Sequence, residues 1–174
     1  KEFGVISIAL GGIGGRRGKD GLASTAFASG IGVIPIEVTE NQCPLYFKRK
    51  EYLPDSGGAG EFRGGLSQTI EIANREAAPF TISAATFDRI HNPAQGRDGG
   101  RPGRKGLARY GSGKPIPDKG IHVIPAGDSL VVELPGGGGF GDPLKRDSEA
   151  VAQDLKAGLV TAAGVRRDYG HEPA

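Results

Sequence analysis

The chain has 174 residues, a formal net charge of +2 and 31 glycines. The near balance of charge gives no electrostatic reason to expect nucleic acid or an anionic membrane as a partner. The glycines follow no three-residue period, which excludes collagen, and β-branched apolar runs between them argue against a disordered linker. A single cysteine, Cys43, excludes an internal disulfide framework and fits a reducing, cytoplasmic compartment.

Short apolar or alternating segments predict strands along most of the chain. They are residues 5–10, 45–53, 67–73, 80–87, 121–125 and 129–134. Residues 33–38 are predicted to be extended, because Pro35 does not fit a helix interior and biases Ile34 toward β geometry. The turn residues 126–128 predict a hairpin or a tight connection between the last two strands.

The sequence changes character after residue 143. Apolar residues recur at near-helical spacing over residues 151–160, and Asp147 or Ser148 can cap that helix by accepting backbone N–H bonds. Gly158 is predicted to end it, and residues 161–168 to begin a second short helix.

Most of the glycines form four clusters, at residues 11–21, 55–65, 99–106 and 135–143. None has the spacing of a phosphate-binding or dinucleotide-binding loop, so they predict tight turns and close packing. The length suits one domain over residues 1–174. We expect a mostly β fold with a C-terminal helix, in the α+β class, in which glycine-rich loops pack between short strands. Its glycine-rich β region is residues 1–143 and its helical tail is residues 144–170.

Five charged or titratable residues are candidates for contacts with a substrate or a partner subunit. They are Arg16, Asp20, Asp55 and Arg63 in the glycine clusters, and His91 in a polar loop. Our preferred interpretation is that Arg and Asp in these loops pair and fasten them. The alternative is that Arg16 or Arg63 reaches an anionic group. The histidines lack metal-ligand spacing, so no metal ligand and no catalytic residue is assigned.

Several motifs, taken in order, have a recognisable pattern. They are Gly14-Gly15-Arg16, Pro35-Ile36-Glu37-Val38, Asp55-Ser56-Gly57-Gly58-Ala59-Gly60, Phe62-Arg63-Gly64-Gly65, the segment 136–143 and Arg146-Asp147. In this order the set resembles the C-terminal part of the hydantoinase B/oxoprolinase family, and the resemblance covers nearly the whole chain. Residues 87–93 are more polar than that family's pattern, which leaves the substrate open.

The resemblance implies a part of an ATP-dependent enzyme that opens cyclic amides such as hydantoins, 5-oxoproline or lactams. Its partners would be the rest of the B-type component and an A-type subunit that binds ATP and Mg. Carboxylation of a ketone such as acetone or acetophenone is one alternative, and a non-catalytic assembly domain is another.

We also expect this chain to be one piece of a longer polypeptide, because it has no methionine at position 1. The family's metal motif of His and Asp lies in an N-terminal part that has no counterpart here. The resemblance therefore implies that this chain binds no cofactor itself and is inactive alone.

Overall fold

The computed structural model describes residues 3–6, 9–26, 31–84, 91–117 and 119–172. Its helices and strands confirm the mostly β, α+β class. In chain order they are α1 (Ile36–Gln42), β1 (Leu45–Leu53), β2 (Ser67–Asn74), β3 (Phe80–Ala84), β4 (Leu107–Tyr110), β5 (Gly120–Ile124), β6 (Ser129–Glu133), a 3₁₀ turn (Pro143–Lys145), α2 (Ser148–Lys156), α3 (Ala162–Gly164) and a π-helical turn (Val165–Tyr169).

The strands form two antiparallel sheets. The larger has the order β1-β2-β6-β4, and the smaller pairs β3 with β5. Side chains from both sheets meet in one apolar cluster, in which Phe80 and Ile124 of the small sheet pack with Ala108 and Leu130 of the large one. Since Ile124 is fully buried, this cluster joins the two sheets into one layered unit.

Two predictions about the strands are corrected. Residues 33–38 are not extended throughout, because α1 begins at Ile36 with Pro35 as its N-cap residue. A proline at a helix start loses no hydrogen bond, since the first N–H groups of a helix have no intrahelical partner. The segment 5–10 is not a strand in its described residues, and residues 7 and 8 lie outside them. The chain beyond it bonds to glycine segments instead of a strand, as in the bond from the Gly12 N–H to the Pro135 carbonyl.

The connection between β5 and β6 is the tight one of the two predicted possibilities. The Asp128 N–H donates to the Pro125 carbonyl at 3.1 Å, and Gly127 has a φ of 77°. The two strands then enter different sheets and do not pair with each other. The strands β1, β2, β3, β5 and β6 agree with prediction, whereas β4 was not predicted. Residues 85–87, the end of the strand predicted at 80–87, lie outside the described residues.

The four glycine clusters pack against one another through their backbones. A Cβ atom added to Gly137 would lie 1.9 Å from the Ile13 carbonyl oxygen, and one added to Gly12 would lie 1.9 Å from the oxygen of Gly65. The third cluster is joined in the same way, since a Cβ on Gly58 would lie 2.2 Å from the Arg101 oxygen. No side chain fits at these positions, which confirms close packing as the role of the clusters. We call this backbone-packed region the glycine core.

The tail packs on the glycine core through a second apolar cluster. Its members are Ala59 of the core and Val151, Val160, Val165 and Tyr169 of the tail. Asp147 caps α2 by accepting the Ala150 N–H at 3.2 Å, as predicted, and Gly158 ends this region with a φ of 69°.

Among the residues that the structure describes, no helix is long and apolar enough to cross a membrane.

We predict that Gly137→Ala lowers the free energy of unfolding by about 3 kcal/mol, because the new methyl group overlaps the Ile13 carbonyl and a backbone segment must move. Gly32→Ala is the matched control, since the space around its Cβ position is open. Its effect should stay within about 0.5 kcal/mol. Urea denaturation followed by circular dichroism measures both. Equal effects of the two substitutions would contradict close backbone packing at Gly137.

Candidate functional site

Two arginines and two aspartates form a network where the tail meets the glycine core. The Arg63 guanidinium donates to both carboxylate oxygens of Asp154, from Nε at 3.0 Å and from Nη2 at 3.2 Å. Arg146 Nη2 donates to the same Asp154 at 2.8 Å and to Asp20 Oδ2 at 2.7 Å. Asp20 Oδ1 also accepts the Arg63 backbone N–H at 2.6 Å. The network therefore ties the first two glycine clusters to the tail with charge-assisted bonds.

Most of this network is buried. The exposed fraction of the residue is 6% for Arg63, 5% for Arg146 and 6% for Asp154. Burial alone would raise the pKa of Asp20, but hydrogen bonds and charge from Arg146 outweigh it and hold this pKa below its ordinary value. The Arg146 guanidinium carbon also lies 5.9 Å from the centre of the Tyr169 ring. Burial, partly offset by Arg146, raises the pKa of Tyr169 to about 12.

Asp55 fastens a different part of the tail. Its carboxylate accepts the Thr161 backbone N–H at 2.8 Å and the Thr161 hydroxyl at 2.6 Å. Its own backbone N–H donates to the Leu159 carbonyl at 3.2 Å, with a φ of 58°. The positive φ is one that Asp tolerates better than most residues. Asp55 therefore holds the connection between α2 and α3 against the second glycine cluster.

Arg16 lies on an exposed turn at the edge of the glycine core. Its N–H donates to the Lys19 carbonyl at 3.0 Å, and the Lys19 N–H donates back at 2.9 Å. His91 is exposed as well and directly follows residues 85–90, which lie outside the described part of the chain. The polar segment 87–93 falls mostly on those residues too.

A cleft of about 380 Å³ lies between the second and third glycine clusters and the tail. Of the five candidate residues only Asp55 lines it, together with Arg101, Arg104, Arg167 and Asp168. The arginines here are paired, as in the Arg101–Asp168 contact of 2.7 Å. The structure thus brings Asp20 and Arg63 together in the buried network, while Asp55 lines the cleft and Arg16 lies on its turn.

Sequence reasoning did not identify Arg146 and Asp154 as members of the network. Asp154 offered a signal, because it is three residues from Val151 on α2 and so shares that helix's buried face. A carboxylate on a buried face requires a cationic partner. The identity of that partner depends on tertiary structure, since Arg63 is 91 positions away in sequence.

Many N–H groups of the glycine core are bonded within the core itself. The N–H groups of Gly58, Gly65 and Gly137 donate to backbone carbonyls of the core at 2.8, 2.8 and 3.0 Å. A phosphate loop needs such groups directed at the ligand. Within the ranges that the structure describes, no group of three or more His, Cys, Asp or Glu residues could hold a metal ion.

Comparison with known proteins identifies relatives over nearly the whole chain. A model of the hydantoinase B/oxoprolinase family matches residues 1–143. The β subunit of caprolactamase from Pseudomonas jessenii is 30% identical over 179 aligned positions, covering 95% of this chain and 30% of that subunit. The B-type subunit of a putative D-/L-hydantoinase from Pseudomonas sp. strain NS671 is 29% identical, covering 95% of this chain and 28% of the relative. The chain thus spans less than a third of the length of these relatives.

The fold is similar to that of a solved enzyme. The crystal structure of ATP-dependent caprolactamase from Pseudomonas jessenii superposes with a TM-score of 0.79 at 25% identity, covering 95% of this chain and 30% of that one. A nucleotide-free acetone carboxylase superposes with a TM-score of 0.68 at 24% identity, covering 87% of this chain and 25% of that one. The second likeness concerns the fold alone.

We predict that Asp154→Ala destabilises the protein by about 3–5 kcal/mol, because it leaves two arginines buried with one carboxylate fewer. Gln153→Ala is the control, since Gln153 is exposed on the same helix and is a neutral side chain. Thermal unfolding monitored by calorimetry measures both. If the Asp154 variant unfolds at the temperature of the control, the network does not fasten the tail.

We predict that stability falls as the pH rises from 10 toward 12, in part because of Tyr169. Its pKa is raised to about 12 from an ordinary value of 10.0, so the unfolded chain loses this proton first and is favoured as the pH increases. Tyr169→Phe should remove that contribution, whereas Tyr52→Phe, at an exposed tyrosine, should not. Denaturant unfolding at several alkaline pH values tests this. Equal pH dependence in the two variants would contradict it.

Proposed function

Because the chain belongs to the hydantoinase B/oxoprolinase family, we propose that it is part of an ATP-dependent enzyme that hydrolyses a cyclic amide. The observation that carries this proposal is the similarity to caprolactamase over 95% of the chain, in sequence and in fold. A lactam is the first choice of substrate, and hydantoins and 5-oxoproline are its chemical neighbours.

An unstrained amide resists attack by water, and phosphorylation of its oxygen by ATP supplies a leaving group. We propose that ATP and Mg bind to an A-type partner subunit. The glycine core supports this assignment, because many of its N–H groups bond to carbonyls of the core itself, as from Gly65 to Ile13. A divalent metal, where the enzyme uses one, would belong to the rest of the B-type component. We expect the assembly to be cytoplasmic.

This chain itself would supply a rigid part of the assembly. Arg63, Asp20 and Asp55 hold the tail to the glycine core. Arg16 and His91 are exposed, and we propose them as candidates for contacts with substrate or partner. We propose that the chain is inactive without the rest of the B-type component. On this proposal, catalysis and assembly are not exclusive alternatives, because the chain contributes structure to a catalytic complex.

A ketone carboxylase is the competing reaction for such an assembly. The likeness to acetone carboxylase, at 24% identity, concerns only the fold. The amide reaction is favoured because the likeness to caprolactamase covers more of the chain and has the higher TM-score, 0.79 against 0.68. The two reactions differ in their requirement for bicarbonate.

The test is purification of the native complex followed by a turnover assay. We expect ATP hydrolysis to rise by about tenfold or more when a lactam, a hydantoin or 5-oxoproline is added, with formation of the ring-opened acid. Acetone or acetophenone with bicarbonate should have no such effect, and the isolated chain should be inactive. Stimulation by a ketone only in the presence of bicarbonate would replace the proposal with the carboxylase reaction. A complex that no cyclic amide or ketone stimulates would support the assembly role alone.

A further inference from the structure

The turn at residues 16–19 is a rigid projection. Two backbone hydrogen bonds of 3.0 and 2.9 Å between Arg16 and Lys19 close it. Gly18 adopts a φ of 79°, a backbone conformation that residues with a side chain rarely adopt. Both of its ends are fixed to the glycine core. The Gly15 N–H donates to the Gly138 carbonyl at 2.8 Å, and the Gly21 N–H donates to the Arg63 carbonyl at 2.7 Å.

The turn carries concentrated positive charge. Arg16, Arg17 and Lys19 are all exposed. Asp20, the next residue, does not neutralise them, because both of its carboxylate oxygens bond to Arg146. Its lowered pKa keeps that carboxylate ionised at neutral pH.

Most other arginines of the chain are ion-paired, whereas Arg97 and Arg109 have no carboxylate partner in the described part of the chain. Eight have a carboxylate within ion-pair distance. They are Arg49, Arg63, Arg75, Arg101, Arg104, Arg146, Arg166 and Arg167. Over the described part of the chain, neither Arg16 nor Arg17 has such a partner. The charge of the turn is therefore available to another molecule.

The shape of the turn favours a protein surface over a small anion. A phosphate site is concave and lined with free N–H groups, whereas the Arg16 and Lys19 N–H groups bond to each other's carbonyls. The space beside Gly18 is open, with no atom within 4 Å of its Cβ position. A projecting tip with three cations matches a recess lined by carboxylates on a larger molecule.

We propose that the turn at residues 16–19 is a docking element that binds an acidic surface of the ATP-binding partner subunit. This inference rests on the proposed function for the identity of that partner. The bonds from Arg146 and from the Arg63 N–H to Asp20 hold the base of the turn. The tail thereby holds the docking element in position through Arg146.

The test measures the affinity of the B-type component that contains this chain for its ATP-binding subunit. The variant is Arg16→Glu with Arg17→Glu, and the control is Lys105→Glu with Lys145→Glu, which makes the same charge change at two exposed lysines. We expect the variant to bind about tenfold more weakly or worse at low salt, mainly through slower association, and to depend less on salt than the native protein. The control should bind like the native protein. A third variant, Arg16→Gln with Arg17→Gln, should show an intermediate loss.

The outcomes separate this inference from the proposed function. If the native complex forms and hydrolyses a lactam, but the variant and the control bind equally, the docking element is wrong and the proposed function stands. A native component that binds no ATP-binding subunit overturns both. Unchanged melting temperature of the variant, together with lost affinity, supports docking over misfolding.

Discussion

The exclusion of side chains from the glycine core is the constraint on which the rest of the molecule depends. Backbone segments from distant parts of the sequence approach so closely that a Cβ atom on Gly136 would lie 1.8 Å from the Ser56 carbonyl oxygen. Such a core buries little apolar surface, so the hydrophobic effect contributes less to it than to an ordinary core. Its cohesion must come largely from hydrogen bonds between segments, as from Gly58 to Gly137.

This arrangement has an entropic cost that the surrounding side chains must offset. Glycine loses more conformational freedom on folding than any other residue, and an isolated bundle of glycine segments would have few contacts to counter that loss. The structure surrounds the core with anchors that join segments far apart in sequence. Arg63 and Asp154 form one such anchor, and Asp55 and Thr161 form another. Because these charged pairs are intramolecular fastenings, their presence in glycine loops does not by itself indicate a catalytic site.

The sequence was sufficient to predict the elements whose position depends on local properties, such as the alternation of polar and apolar residues or a helix cap. The period of alternation identified β2, and the preference of Asp and Ser for an N-cap position placed the start of α2 at Asp147 or Ser148, of which Asp147 is the cap. The sequence was not sufficient at α1 and β4. Pro35 does not fit a helix interior, but it can begin a helix, and the four-residue strand β4 is too short to have a clear period. Sequence reasoning identified half of the charge network. Asp20 and Arg63 were candidates because they lie in glycine clusters, whereas Arg146 and Asp154 lie in the tail and are brought to them by the tertiary fold.

The charged residues of this chain fall into two groups with different roles. Ion pairs such as Arg63–Asp154 are buried and balanced, so they stabilise one geometry and are insensitive to salt. The turn at residues 16–19 is exposed and unbalanced, so it can attract a partner from a distance at low ionic strength. Arg146 connects the two, since it binds buried Asp154 and also Asp20 at the base of the turn. The tail and the base of the exposed turn are therefore bonded to the same guanidinium group, so one side chain belongs to both groups.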